Sequence, residues 1–384
     1  MTEPVLTTSP PETGPVLLEA RGLTKHFVLH RARRAARAAR RAASVKGEPG
    51  ERGGPVVHAV EDVSLTLSRS GITAVVGESG SGKSTLARML ARLIIPTAGQ
   101  LLLDGKEVPA SNRDRREYAR DVQLVLQDPF SSLNPIHDVR YHLARPLLVH
   151  KLAKRGPGLD EAMKGLLDRV SLTPADQFLA KYPHELSGGQ RQRVAIARSL
   201  AVTPRVLLAD EPVSMLDVSI RLGILNLLGD LRERDGLAIL YITHDIASAR
   251  YLADEIIVMY AGQVVESGPA QSVTDEPSHP YTQLLLSAAP DPDRAEPPSL
   301  QGRGSPPSLV SPPSGCRFHP RCPYAMAVCA QRTPPDTQVA AGHLSACWLH
   351  VKDLDTEQAL PIAGRPPGRP STPSISAPDP GEET

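Results

Sequence analysis

Gly77-Glu-Ser-Gly-Ser-Gly-Lys-Ser84 decides how this chain is read. Its glycines let the backbone fold tightly, so that successive N–H groups point at one spot and make it attractive to phosphate oxygens. Just upstream, Gly71-Ile-Thr-Ala-Val-Val76 is a short apolar, β-branched run of the kind that forms a buried strand. Downstream, Lys83 to Ile95 has helical periodicity, and the positive end of such a helix adds to the anion site. Strand, glycine turn and helix together make a phosphate loop. Gly77, Glu78, Ser79, Gly80, Ser81 and Gly82 form the turn. Lys83 is placed to reach the β- and γ-phosphates of ATP and Ser84 to ligate Mg²⁺, and Thr85 after them belongs to the same nucleotide site.

Working outward, strand character runs from Val16 to Phe27 and from Val56 to Leu67. Further apolar strand-like runs are Val122 to Leu126, Val206 to Ala209, Ala238 to Ile242 and Ile256 to Tyr260. Helical patterns fall near 138–149, 160–171, 188–202 and 219–234, so strands and helices alternate, which predicts an α/β core with a mainly parallel sheet. Residues from about 127 to 187 lack clear strands and read as a helical subdomain.

The chain has 384 residues, enough to bury a large core. A net charge of +1 argues against a surface devoted to nucleic acid, and no nucleic-acid partner is expected. No stretch nears 18 consecutive apolar residues and no secretory leader opens the chain, so the expected location is cytoplasmic, with any membrane link made through partners. Residues 1–15, rich in Pro, Thr and Glu, and the Pro-rich end at 351–384 read as disordered tails.

Val206-Leu-Leu-Ala-Asp-Glu-Pro212 is an apolar strand that ends in two carboxylates. Asp210 stands where a Mg²⁺-bridging acid is needed, and Glu211 where a base would polarise the attacking water. Leu186-Ser-Gly-Gly-Gln190 is a second phosphate-seeking device, with Ser187, Gly188, Gly189 and Gln190 opening a helix. With this motif in place, residues of about 16 to 270 resemble the nucleotide-binding domains of ABC ATPases. That resemblance implies a parallel core, an antiparallel β subdomain and a helical subdomain. It also implies roles for further residues. Gln127 matches the Q-loop residue that meets Mg²⁺ or water beside the membrane subunits. Asp217, in Ser214-Met-Leu-Asp217, matches the D-loop, with Met215 where alanine is usual. His244 matches the switch histidine that senses the γ-phosphate, and Phe27 the aromatic residue that stacks on adenine. In the family two such domains meet head to tail and hold ATP between one phosphate loop and the other's signature motif. One set of motifs therefore implies a dimer.

Ser131-Ser-Leu-Asn-Pro135, Ser278-His-Pro-Tyr-Thr282 with the apolar helix that follows (Leu284 to Ala289), and Gly315-Cys-Arg-Phe-His-Pro-Arg-Cys-Pro-Tyr324 resemble the dipeptide/oligopeptide importer branch. Its members move peptides, nickel or glycosides. The resemblance divides the chain into a cassette at 16–275 and a C-terminal module at 276–350. It implies a second ATPase subunit, commonly a paralogue, with two permeases and an extracytoplasmic solute-binding protein. The ATPase itself belongs on the cytoplasmic face of the membrane. After Asn134, the text Ile136-His-Asp-Val-Arg-Tyr-His142 departs from the commoner pattern where relatives face their membrane subunits.

Cys316, Cys322, Cys329 and Cys347 follow the spacing C-x₅-C-x₆-C-x₁₇-C, which is no pair of C-x₂-C knuckles. Four thiolates suit a [4Fe–4S] cluster, which some relatives carry; zinc and unligated thiols are the other readings. Residues 30–55 form an Arg/Ala/Gly-rich insertion. As a helix it would place Ala32, Ala35, Ala36, Ala39 and Ala43 opposite Arg33, Arg34, Arg37, Arg40 and Arg41. It reads either as a solvated insertion or as a basic patch for anionic headgroups. A non-transport ABC ATPase of DNA repair or translation is the rival function, and such proteins usually carry two cassettes or a long coiled coil. This chain shows neither.

Overall fold

The computed structural model describes residues 14–29, 54–109, 115–128, 132–288, 304–352 and 354. Residues 1–13 of the N-terminal tail, the Arg/Ala-rich part of the insertion, Ser131, Ala289 and nearly all of the C-terminal tail lie outside the described residues.

In chain order, β1 (Val16–Val28), β2 (Val56–Ser68) and β3 (Ile72–Val76) lead into α1 (Lys83–Leu90). Next come β4 (Ala98–Leu103), β5 (Lys106–Glu107), α2 (Arg115–Asp121) and β6 (Val122–Val125). Four helices follow: α3 (Val139–Val149), α4 (Pro157–Arg169), α5 (Ala175–Leu179) and α6 (Gly188–Leu200). The core resumes with β7 (Val206–Asp210), α7 (Val218–Asp235), β8 (Ala238–Thr243), α8 (Ile246–Leu252), β9 (Glu255–Tyr260) and β10 (Gln263–Pro269). Helices α9 (Ala270–Asp275), α10 (Pro280–Ser287) and α11 (Ala327–Gln331) precede β11 (Asp336–Ala340) and β12 (His343–Ala346).

β6, β7, β8, β3 and β9 lie side by side and parallel. Every residue of β3, β7 and β8 is buried, the pattern of strands covered on both faces. A smaller antiparallel sheet runs β2-β1-β4-β5. In β2, Val63, Leu65 and Leu67 turn inward while Ser64 and Thr66 stay exposed, the period of two that packs one face. Helices α3 to α5 stack on α6 around Leu143, Met163, Leu167 and Leu179, and 132–187 contain no strand.

The main sheet does not stop at 275. β10 pairs antiparallel with β9, and β12 pairs with β10 through Glu266 opposite Ser345 and Ser267 opposite Leu344. The hairpin of β11 and β12 thus extends the cassette's own sheet across the division expected there. The helix expected over 83–95 ends at Leu90. Arg92 takes φ 54°, and the Leu93 N–H reaches back to the Arg88 carbonyl, a turn that closes a helix by changing chain direction. No helix among the described residues is long and apolar enough to cross a membrane.

Candidate nucleotide-binding site

Two neighbouring backbones explain the glycines of the phosphate turn. Gly77 has φ +154°, and a Cβ there would lie 2.2 Å from the Met259 carbonyl oxygen of β9. At Gly82, φ is +104°, and a Cβ would lie 2.3 Å from the Ala59 carbonyl oxygen of β2. Only a residue without a side chain fits either place. The turn curls around Lys83, whose Nζ donates to the carbonyls of Gly77 (2.7 Å) and Glu78 (2.9 Å). Burial lowers the Lys83 pKa, against the opposing pull of Glu211, Asp210 and Glu78. Ser81 Oγ is buried without a hydrogen-bond partner, a group that a phosphate oxygen would satisfy.

At the start of α1, Ser84 Oγ donates to Asp210 Oδ1 at 2.9 Å, joining the phosphate loop to the end of β7. Burial raises the Asp210 pKa, and neighbouring Glu211 adds to the rise; the Ser84 bond works against it. Glu211 itself has φ 46°, unusual for a residue with a side chain, and its N–H donates to Ile242 of β8 at 2.9 Å. Its Oε2 accepts from Gln127 Nε2 at 3.0 Å and lies 3.4 Å from His244 Nδ1. Three residues drawn from distant parts of the chain therefore meet at one carboxylate oxygen.

A cleft of about 1300 Å³ opens above these groups. Its walls include Phe27, Glu78, Ser79, Gly80, Gly82, Lys83, Ser84, Thr85, Gln127, Glu211 and His244. Lys25 Nζ stands 5.1 Å from the Phe27 ring centroid, so that ring already carries a cation on one face.

The signature residues are elsewhere. Ser187 caps α6: its Oγ accepts the Gln190 N–H at 3.3 Å, and Gln190 Oε1 accepts the Ser187 N–H at 3.0 Å. A Cβ on Gly189 would meet Ile220 at 2.5 Å, and one on Gly188 would meet Leu216 at 3.2 Å. Asp217 occupies the N-cap position of α7. None of Ser187, Gly188, Gly189, Gln190 and Asp217 lines the cleft.

The cysteines gather in the C-terminal module. Cys329 and Cys347 are buried and Cys316 and Cys322 half-buried, with no disulfide among them. Burial pushes the Cys316 thiol up to about 11, with Cys329 among the neighbours that add to it. Burial likewise raises Cys347, and Cys316, Cys322 and Cys329 all act on it electrostatically. Among the described residues the potential metal ligands whose donor atoms all lie within 4.8 Å of one another are His26, His58 and Glu61. Glu61 is also bound by Arg317, which supplies a cation there.

Residues not anticipated from sequence also line the cleft: Arg221, Asp245, Leu284, Leu285, Leu309 and Arg321. Arg321 lies within the quoted 315–324 stretch, but nothing local signals that it crosses to the cleft.

A phosphate turn after β3, a carboxylate pair at the end of β7 one strand removed from it, and a glutamine and histidine on the second carboxylate define an ABC-type ATPase. The chain matches the ABC transporter family over residues 60–214 and the oligopeptide/dipeptide transporter C-terminal region over 265–329. It is 44% identical over 300 residues to a probable peptide ABC transporter ATP-binding protein of Sinorhizobium fredii, covering 78% of this chain and 84% of that one. It is 41% identical to a di/tripeptide transport ATP-binding protein of Pseudomonas aeruginosa, covering 85% and 97%. Among solved structures, the ATP-binding cassette MJ0796, a dimer in a post-hydrolysis state with ADP and Pi, superposes with a TM-score of 0.53. There the identity is 28%, covering 66% of this chain and 99% of that one. The chain belongs to the ATP-binding proteins of the oligopeptide/dipeptide branch of ABC transporters.

Proposed function

We propose that this protein hydrolyses ATP to energise import of di- and oligopeptides through separate permease subunits, working at the cytoplasmic face of the membrane. The observation that carries the hydrolytic part is the convergence of Gln127 and His244 on Glu211 Oε2. Peptide as cargo rests on the named specificity of the relatives.

Lys83 leaves its two carbonyl partners to meet the β- and γ-phosphates, and Ser81 Oγ gains an acceptor. Phe27 stacks on the adenine. Ser84, Asp210 and Gln127 fit a Mg²⁺ ion, which supplies charge neutralisation at the phosphate oxygens. Glu211 takes the proton of the attacking water, while His244 holds that carboxylate in place and senses the γ-phosphate. Because Ser187 and the Gly188 and Gly189 amides lie outside the cleft, the second signature motif comes from another subunit, which we take to be a paralogous ATPase. Two permeases and an extracytoplasmic binding protein complete the transporter.

The four thiols suit a [4Fe–4S] cluster, a structural group here because ATP hydrolysis needs no electron. Their sulfurs act on one another electrostatically but form no group within 4.8 Å. A single zinc at about 2.3 Å from each thiolate would need them closer than that. Iron and acid-labile sulfide, measured on protein purified without oxygen, test this assignment. A preparation free of both removes it.

The hydrolytic reading is tested with Glu211→Gln and Lys83→Ala in the assembled transporter. Glu211→Gln is expected to retain Mg-ATP while turnover falls about 10² to 10⁴-fold, and Lys83→Ala to lose nucleotide. Full turnover in Glu211→Gln would remove Glu211 from the chemistry.

A further inference from the structure

The phosphate loop is held from outside the cassette. Glu78, its second residue, makes contacts through all three of its polar groups. Its carbonyl accepts from Lys83 Nζ, and its N–H donates to the Tyr281 hydroxyl at 2.8 Å. Its carboxylate accepts a two-pronged bond from Arg321, NH1 to Oε2 at 2.9 Å and NH2 to Oε1 at 3.0 Å. Tyr281 and Arg321 both lie beyond residue 275, 203 and 243 positions from Glu78.

These two partners are themselves fixed. Tyr281 is fully buried, and its ring packs 4.6 Å from Tyr260 and 5.5 Å from Phe318. The Arg321 guanidinium sits 5.7 Å and 5.9 Å from the Tyr260 and Phe318 ring centroids, with only 10% of the side chain exposed. NH1 also donates to the Tyr260 hydroxyl at 3.3 Å. The backbone carrying Arg321 is wound into tight turns: the N–H groups of Arg321 and Cys322 both donate to the Phe318 carbonyl, at 2.9 Å and 3.0 Å. Four residues earlier, Arg317 binds Glu61 and the Ala261 carbonyl, so the same turn grips the cassette twice. A planar guanidinium on a carboxylate fixes orientation as well as distance, which a lysine cannot do.

We infer that Arg321 is a positioning residue for nucleotide: through Glu78 and together with Tyr281, the C-terminal module holds the phosphate loop in its phosphate-binding shape. The inference rests on the reading of the cleft as an ATP site. Arg321 acts on the loop rather than on the nucleotide, since both its prongs are spent on Glu78. Coupling of this kind is reciprocal, so nucleotide in the loop also tightens the 315–324 turn.

The experiment measures Mg-ADP affinity of the full chain by titration calorimetry for wild type, Arg321→Ala, Arg321→Lys, Glu78→Gln and the Arg321→Ala/Glu78→Gln double variant. Arg321→Ala and Glu78→Gln are each expected to weaken binding roughly tenfold, the worth of a partly exposed charge-assisted pair. The double variant should be no weaker than either single one, and Arg321→Lys should recover part of the loss. Hydrogen exchange supplies a second readout: Mg-ADP should slow exchange across 315–324 in wild type and not in Glu78→Gln. Unchanged affinity in Arg321→Ala overturns the inference. So do losses that simply add in the double variant, because Arg321 would then act independently of Glu78. If Arg321→Ala does not fold, Glu78→Gln and Arg321→Lys decide: wild-type affinity in both overturns it. Wild-type protein that binds no Mg-ADP would instead sink the reading of the cleft.

Discussion

Replacing Glu266 by alanine should loosen the C-terminal module by about 4 kcal/mol. The figure follows from what that carboxylate holds. Glu266 lies on β10 with its side chain wholly buried. Oε1 accepts the Ser278 N–H at 2.6 Å and lies 2.7 Å from His343 Nε2, while Oε2 accepts the His279 N–H at 3.0 Å. Truncation leaves two backbone donors and an imidazole nitrogen buried without an acceptor, each costing about 1–3 kcal/mol. Against a total stability of about 5–15 kcal/mol, such a loss is large. It falls on one seam, because β12 meets β10 through only two residue pairs. The chain's single tryptophan, Trp348, is buried in that module and donates to the Arg332 carbonyl at 3.0 Å, so its fluorescence reports the seam. In urea unfolding of the full chain, Glu266→Ala should lower the Trp348 midpoint more than the far-ultraviolet circular dichroism midpoint. Glu266→Gln, which keeps the shape but turns an amide NH₂ toward donors, should lie between. A Trp348 transition displaced by under about 1 kcal/mol in Glu266→Ala would refute the argument.

Other outcomes follow from single positions. Gly82→Ala should abolish nucleotide retention and cost at least about 2 kcal/mol of stability, since its Cβ would strike the Ala59 carbonyl at a backbone angle alanine avoids; calorimetry and urea unfolding check both. Burial lowers the His279 pKa from 6.5 to about 4, so the unfolded chain takes up this proton well before the folded one. Stability should be full above about pH 6.5 and fall on acidification towards pH 4, by up to roughly 3 kcal/mol. His279 Nδ1 accepts the Tyr281 N–H. Asparagine at 279 can keep that cap without titrating, so His279→Asn should flatten the pH–stability profile over this window. Phe27→Ala should weaken Mg-ADP binding by about 1 kcal/mol or more through lost stacking, and unchanged affinity would remove Phe27 from the adenine site.

Local chemistry made most of the cleft legible before any coordinates. The phosphate turn and the strand ending in Asp210 and Glu211 each write their function within a few consecutive residues, and five strands of the main sheet announce themselves as apolar runs. What escaped notice lacked such a signature. β4 begins with three exposed residues and β11 alternates only between exposed and half-buried positions, so neither shows an apolar stripe. The apolar rhythm of the first helix runs on through Leu93, Ile94 and Ile95, five residues past its end at Leu90, although Arg92 has already turned the chain. Arg321 and Tyr281 stand in quoted stretches, but their partner Glu78 is not legible there, since pairing over more than 200 positions leaves no trace in spacing.

The cleft and the signature motif divide one chemical task between two places on this surface. The residues proposed to hold a triphosphate from one side are gathered around Lys83, while the Ser187 helix start, closed by its reciprocal cap with Gln190, lies elsewhere. Gly188 and Gly189 pack against Leu216 and Ile220, so the signature turn sits directly on the segment that leads into α7. Beside them Met215, Val218 and Leu222 are 59%, 79% and 49% exposed, apolar side chains that a water-facing surface does not favour. Such exposure is costly unless something covers it, and a second ATPase subunit bringing its own cleft would do so. The C-terminal module then acquires a sharper meaning. It holds the phosphate loop through Glu78 on one side of the cleft, and in the proposed dimer the partner's signature helix would close the other, so the nucleotide would lie between two elements that each belong to something other than the loop itself.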